Sequence, residues 1–338
     1  MKATRSPKSG KVELEVNAGS EPRVANALFN TLRKLPEVKF KKILATTDFS
    51  DFSMTGVRYA MALAKEVPAK LSLVAVVEPS VAFVGVEGVI IARSDTEMVE
   101  LEKRRLARLA KELSCGIASI SQFIRYGKPF REIVALAKEE EFDLIVLATH
   151  GRTGFKRALI GSTAERVVRH APCPVLTVPA RIAGQKSGAM WAAGLRNVLV
   201  PIDFSETSTK ALPYVSELAK TLRAEVTLIH VMVPLPTAEF IYPTSAEIRP
   251  QIKRSAEDFL LRVQHESLNE AIPTETVVRS GFPYLEITKC AQRMQSDMII
   301  MTSHGHTGFN RALLGSTADR VVRHSPCPVL VVRDKGNP

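Results

Sequence analysis

The sequence predicts an α/β fold: two tandem, doubly wound domains, each built on a five-stranded parallel sheet. Three observations predict it. Residues 148–178 and 302–332 repeat each other, with 23 of 31 aligned positions identical at an offset of 154. Upstream, Asp48 matches Asp203 within Asp-Phe-Ser at an offset of 155, and Gly127-Lys128-Pro129 matches Gly281-Phe282-Pro283. Within each copy, short apolar runs alternate with helical stretches, the pattern of parallel strands covered on both faces. Right-handed crossovers make such a sheet doubly wound.

A repeat of this length is a domain rather than a solenoid unit. Residues 1–39 form an N-terminal arm, 40–180 the first domain, 181–195 a linker and 196–338 the second domain. Residues 1–20 are charged, with few apolar side chains, and read as disordered. Val24, Leu28, Leu32 and Leu35 then recur at helical spacing, which predicts a short helix within residues 21–36. Ala183-Gly184-Gln185-Lys186-Ser187-Gly188 has the composition of a flexible linker.

In the first copy, residues 42–47 predict a buried strand, and Ser50 caps a helix through Glu66. Residues 71–77, 119–126, 144–148 and 175–178 predict the other strands. Residues 96–113, 131–140 and 162–170 predict helices between them. The second copy repeats the order, with strands at 198–202, 226–231, 276–279, 298–301 and 329–332.

Composition is that of a globular protein, with 45% hydrophobic and 24% charged residues. The formal net charge is +11, of which the first 40 residues carry +4. The modest excess left on the two domains suits an anionic small ligand. It lacks the basic stripe with interleaved aromatics of a dedicated nucleic-acid binder, so no specific nucleic acid is expected. Cys115, Cys173, Cys290 and Cys327 show no metal-ligand spacing and read as buried small residues. A disulfide framework is not expected, which points to a reducing compartment. The polar N-terminus has no signal-like apolar core, and no membrane span is expected, so the expected location is the cytoplasm.

In open α/β sheets, ligands sit beyond the carboxyl ends of the strands where strand order reverses. Two features of each copy converge there. One is the acid closing the first strand, Asp48 or Asp203. The other is the loop after the fourth strand, residues 150–161 or 304–315. It carries Gly151 and Gly154, or Gly305 and Gly308, and ends in Gly161-Ser162-Thr163 or Gly315-Ser316-Thr317. Glycines let backbone approach a ligand and adopt positive φ. A helix N-terminus offers unpaired N–H groups and partial positive charge, and the hydroxyls add donors. Together these make a phosphate cradle. Arg152 adds a charge-assisted contact, and the second copy has His306 there.

A plainer reading stands beside this one. Ser162-Thr163-Ala164-Glu165 fits a capping box, and Ser316-Thr317-Ala318-Asp319 nearly does. A cap alone leaves the two glycines and the long loop unexplained. His150 and His304 fit loop-ordering hydrogen bonds better than catalysis. His170 and His324, near helix ends, fit the helix dipole. Asp48 and Asp203 fit ribose or base contact, with a helix-start role beside Ser50 and Ser205 as the alternative.

These residues resemble the universal stress protein family. Asp-Phe-Ser after the first strand, Gly-x-Pro after the third and Gly-x9-Gly-Ser after the fourth carry the resemblance, twice over. It implies an adenine nucleotide alpha hydrolase-like fold whose last strands, residues 175–178 and 329–332, pair within the chain as an intramolecular pseudo-dimer. A further homodimer stays open. ATP-binding members use Gly-x2-Gly-x9-Gly-Ser/Thr. In that pattern the first glycine falls on Ala148 and Thr302, the second on Gly151 and Gly305, and the third on Gly161 and Gly315 ahead of Ser162 and Ser316. The resemblance also implies adenine against the backbone at Val76 and Val231, Gly127 and Gly281 among the binding positions, and ATP, optionally with Mg²⁺, as cofactor.

The leading expectation is a stress-response protein that binds ATP and regulates rather than turns over. The alternatives are a nucleotide-free interaction platform, with residues 81–92 as its contact surface, and a slow ATPase.

Overall fold

The structure, a computed structural model, describes residues 2–5, 12–15, 29, 32, 35–79, 95–114, 119–150, 160–179, 195–234, 245–304 and 314–333. Gly151, Arg152, Gly154, Gly305, His306, Gly308 and Cys115 lie outside them, as do residues 81–92 and the linker glycines.

The arm begins with an antiparallel pair, β1 (Lys2–Arg5) and β2 (Val12–Glu15), where disorder was expected. Val12-Glu13-Leu14-Glu15 alternates at period two, and Lys2 stands opposite Glu15 in register. Of the expected arm helix, Phe29 and Leu32 are helical.

The first copy runs β3 (Lys42–Thr46), α1 (Asp51–Glu66), β4 (Lys70–Val77), α2 (Asp95–Leu113), β5 (Ile120–Tyr126), α3 (Pro129–Glu139), β6 (Leu144–Ala148), α4 (Ser162–His170) and β7 (Val175–Val178). The second runs β8 (Asn197–Pro201), α5 (Glu206–Thr209), α6 (Leu212–Leu222), β9 (Glu225–Met232), α7 (Ser245–Ser267), β10 (Thr274–Ser280), α8 (Pro283–Arg293), β11 (Met298–Thr302), α9 (Ser316–His324) and β12 (Val329–Val332). Where α1 is continuous, its counterpart breaks into α5 and α6. Pro213, in the first turn of α6, has no N–H to carry the ladder onward.

The ten strands of the two copies form one sheet, ordered β10-β9-β8-β11-β12-β7-β6-β3-β4-β5. Each copy's pairs are parallel. The copies join through β7 and β12, which are antiparallel with Leu176 opposite Leu330. The expected pseudo-dimer is therefore a single continuous sheet. Pairing the two last strands leaves neither as an open apolar edge.

Alternate residues of each strand feed opposite faces. Ile43, Ala45, Leu71 and Leu73 pack under α1 and α2, and their second-copy equivalents under α6 and α7. Leu44, Val74, Ile145 and Leu147 pack under α3 and α4, with the matching set under α8 and α9. Across the junction, Thr177 Oγ1 donates to Val329 O at 3.1 Å, and Arg323 of α9 reaches Glu165 of α4 at 3.5 Å. Cys173, Cys290 and Cys327 are buried, as the sequence predicts. Among the described residues, no helix is long and apolar enough to cross a membrane.

Candidate nucleotide site

In each half the strand order reverses between the first and fourth strands, at β3 and β6 or at β8 and β11. The chain leaves β3 for one face of the sheet and β6 for the other, so a crevice opens at their carboxyl ends. In the first copy it is a cavity of about 360 Å³, in the range of small-ligand sites. Asp48, Val76, Ala148, His150, Gly161, Ser162 and Thr163 all line it. Glu78, Met98 and Glu102, which no motif in the sequence marks, line it from the β4 and α2 side. Only the fold brings α2 to that edge. The cavity therefore has an acidic flank over β4 and a helix N-terminus over β6.

Gly127 is not among the lining residues. Its φ of +145° and a Cβ position 2.8 Å from Glu132 Oε1 explain its glycine as a turn requirement ahead of α3. Gly281 repeats this, with φ +151°. The turn geometry accounts for both glycines by itself.

The turn after β3 is held by its acid. Asp48 Oδ1 accepts from Ser50 N at 3.0 Å and Ser50 Oγ at 2.6 Å, while Ser50 Oγ accepts from Ser53 N at 3.2 Å. Asp203 and Ser205 reproduce this at 3.0 Å and 2.6 Å, and Ser208 N donates to Ser205 Oγ at 3.0 Å. Phe49 and Phe204 lie between at φ 62° and 63°, a region costly for a side chain with a Cβ. The helix-start role set as the alternative for Asp48 and Asp203 is thus what Oδ1 performs.

The start of α4 corrects two expectations. The N-cap is Gly161, not Ser162, and no side-chain cap bond is made there; Gly315 caps α9 in the same way. The capping box does not form. Glu165 instead pairs with Arg169 at 2.8 Å, and Asp319 with Arg323 at 2.8 Å. Nor does Gly161 use positive φ, since its φ is −58°. Its constraint is space: Gly161 N donates to Thr149 O at 2.7 Å, and a Cβ would stand 3.2 Å from that oxygen. At Gly315 the Cβ would stand 2.9 Å from Ser303 O. Each glycine lets the helix start press against the end of the fourth strand.

His150 and His304 each hydrogen-bond the hydroxyl of the residue before them. Their Nδ1 atoms lie 3.0 Å from Thr149 Oγ1 and 2.9 Å from Ser303 Oγ. Burial lowers the His150 pKa. Burial also lowers that of His170, with Arg333 and Arg169 adding to the fall. Its ring edge meets Phe130 at 6.2 Å.

The second copy differs at the same place. Thr302 stands where Ala148 does, and its Oγ1 donates to His304 O at 2.8 Å. His230 stands where Ala75 lines the first cavity, by the 155-residue offset. Aligning the copies would have revealed it. The ring stacks on Phe204 at 4.1 Å and 16°, and Nδ1–H donates to Ile202 O at 2.8 Å. Burial is the main influence on its pKa and lowers it, against the opposing pull of the Ile202 carbonyl and Asp203. Val231, Ser316 and Thr317 keep the places of Val76, Ser162 and Thr163.

The universal stress protein family model matches residues 39–179 and again residues 194–333. The chain belongs to that family. A universal stress protein of Methanocaldococcus jannaschii is 35% identical over 153 residues, covering 45% of this chain and 89% of its own. Universal stress protein E of Photorhabdus laumondii is 24% identical over 232 residues, spanning 66% of this chain and 72% of its own. The crystal structure of an Archaeoglobus fulgidus universal stress protein matches with a TM-score of 0.61 at 22% identity, over 89% of this chain and 99% of that one. This likeness shows the shared fold. Within this universal stress protein, Ala148 and Thr302 are the departures from the nucleotide-binding pattern named above.

Proposed function

We propose that this universal stress protein binds an adenine nucleotide, ATP, in its first copy and acts as a cytoplasmic regulator rather than a turnover enzyme. One observation carries the reading: α4 starts without a side-chain cap, and its first residues line a 360 Å³ cavity at the switch point. The first amides of α4 and the hydroxyls of Ser162 and Thr163 would hold phosphate oxygens, where the helix carries about half a positive charge. Asp48 and the backbone at Val76 flank the place for ribose and base. The acidic flank of Glu78 and Glu102 lies away from α4, so a bound nucleotide points its phosphates toward the helix. Among the described residues no group of three acids, histidines or cysteines is placed to hold a metal. A Mg²⁺ ion would arrive on the nucleotide's own phosphates. Buried cysteines with no disulfide among the described residues support the cytoplasmic reading.

The test is to denature protein purified from cells and identify what it releases. Released ATP supports the proposal. A protein that releases nothing and takes up no added ATP contradicts it.

A second reading, an interaction platform without nucleotide, is favoured by the second copy. Phe282 and Val233 are 67% and 56% exposed at the ends of β10 and β9, beside a switch point that carries Thr302 and His230.

A further inference from the structure

The residues ahead of the first copy belong, in space, to the second. Phe29 and Leu32 are 2% and 3% exposed. The Phe29 ring lies 4.9 Å from Phe259 of α7, and the Arg262 guanidinium sits 3.8 Å over it. Where the arm meets the first copy, Phe40 lies 6.0 Å from Tyr214 of α6. Between these anchors, Leu32, Leu35 and Val38 face Pro213 and Lys220 across a groove of about 240 Å³.

The contacts continue inward. Phe259 lies 4.4 Å from Phe204, and Phe204 stacks on His230 at 4.1 Å. One run of rings therefore joins the arm to the carboxyl end of β9, where His230 stands in the place of Ala75. The first copy lacks this run. Arg105 takes the position of Phe259 and lies over Phe49 at 4.5 Å, and Ala75 has no ring to stack.

We propose that the N-terminal arm is a clasp on the second copy, and that its docking keeps the His230 imidazole stacked within the second switch point. The protein's own side chain then fills a place that the first copy leaves open. Release of the arm frees Phe259, then Phe204, and lets His230 swing clear. The inference rests on the nucleotide reading only in naming what that point would otherwise hold.

The test follows the histidine ring protons of the full chain by NMR, with the His230 signals assigned from His230→Gln. Stacking on Phe204 shifts those signals by ring current. In Phe29→Ala they are expected to move toward unstacked positions while those of His170, in the first copy, stay in place. Arg262→Met removes only the guanidinium over Phe29, so the chain keeps its core. It is expected to give a smaller shift in the same direction. Parent-like His230 signals in Arg262→Met, and in Phe29→Ala wherever that variant folds, would overturn the clasp. No nucleotide enters the measurement, so its outcome is separate from that of the ATP proposal.

Discussion

The two copies share a backbone plan and differ in what stands inside it. Both switch points have an acid-held turn with a phenylalanine at positive φ, and both have a helix capped by glycine and pressed against the fourth strand. The first copy puts small residues, Ala75 and Ala148, at the cavity wall. The second puts an imidazole and a β-branched hydroxyl there, each hydrogen-bonded to backbone. Duplication thus preserved the backbone geometry of the switch point while the side chains at its wall changed. Two residues, not a change of fold, distinguish the two switch points among the described residues.

The largest expected effect comes from the helix-start glycines. Gly161→Val drives a branched side chain against Thr149 O and should weaken ATP binding by about 100-fold or more, given overpacking costs of about 1–3 kcal/mol and lost amide geometry. Gly315→Val meets Ser303 O at 2.9 Å and should lower stability by about 1–3 kcal/mol, yet leave ATP affinity within about twofold of the parent. Calorimetry and urea unfolding check the pair. Equal affinity losses in both would erase the distinction between copies.

Ala148→Thr gives the first copy the second copy's side chain. It should reduce ATP affinity by about tenfold, since a branched residue enters the cavity wall. Unchanged affinity would show that the fourth-strand residue does not discriminate the copies.

A smaller effect depends on pH. Burial lowers the folded-state pKa of His230, so below the ordinary histidine value the unfolded chain binds more protons than the folded one. The stability contribution is fully present above about pH 6.5 and falls as pH drops through the window down to the folded pKa. His150 and His170 act in the same direction. His230→Ala should therefore flatten the decline in urea midpoint between about pH 7 and about pH 5, and a profile parallel to the parent's would contradict the burial argument.

The sequence made most of this fold legible because parallel strands buried on both faces form uninterrupted apolar runs. Leu144–Ala148, Val175–Val178 and Val329–Val332 fall where the apolar pattern puts them. β10 extends beyond its expected limits because it is an edge strand, where only Val277 and Val278 are buried and the flanking residues are polar. The break between α5 and α6 was marked by Pro213 but hidden by the assumption that the copies match. The arm's docking was not legible, since Phe29 meets partners on α7 that only the folded chain brings near. At the site, the lining residues contributed by β3, β6 and α4 were readable from motif and spacing. The reasons for the glycines were not, because Gly161 answers to a neighbouring carbonyl and Gly127 to its own φ.

The most direct measurement is the stoichiometry of ATP uptake by the intact chain in calorimetry. The first crevice carries Ala75 and Ala148 on its wall, whereas His230 and Thr302 stand at the matching places of the second, so the proposal expects one nucleotide per chain. Two equal sites, or saturable binding that persists in Gly161→Val with the parent's affinity, would contradict it.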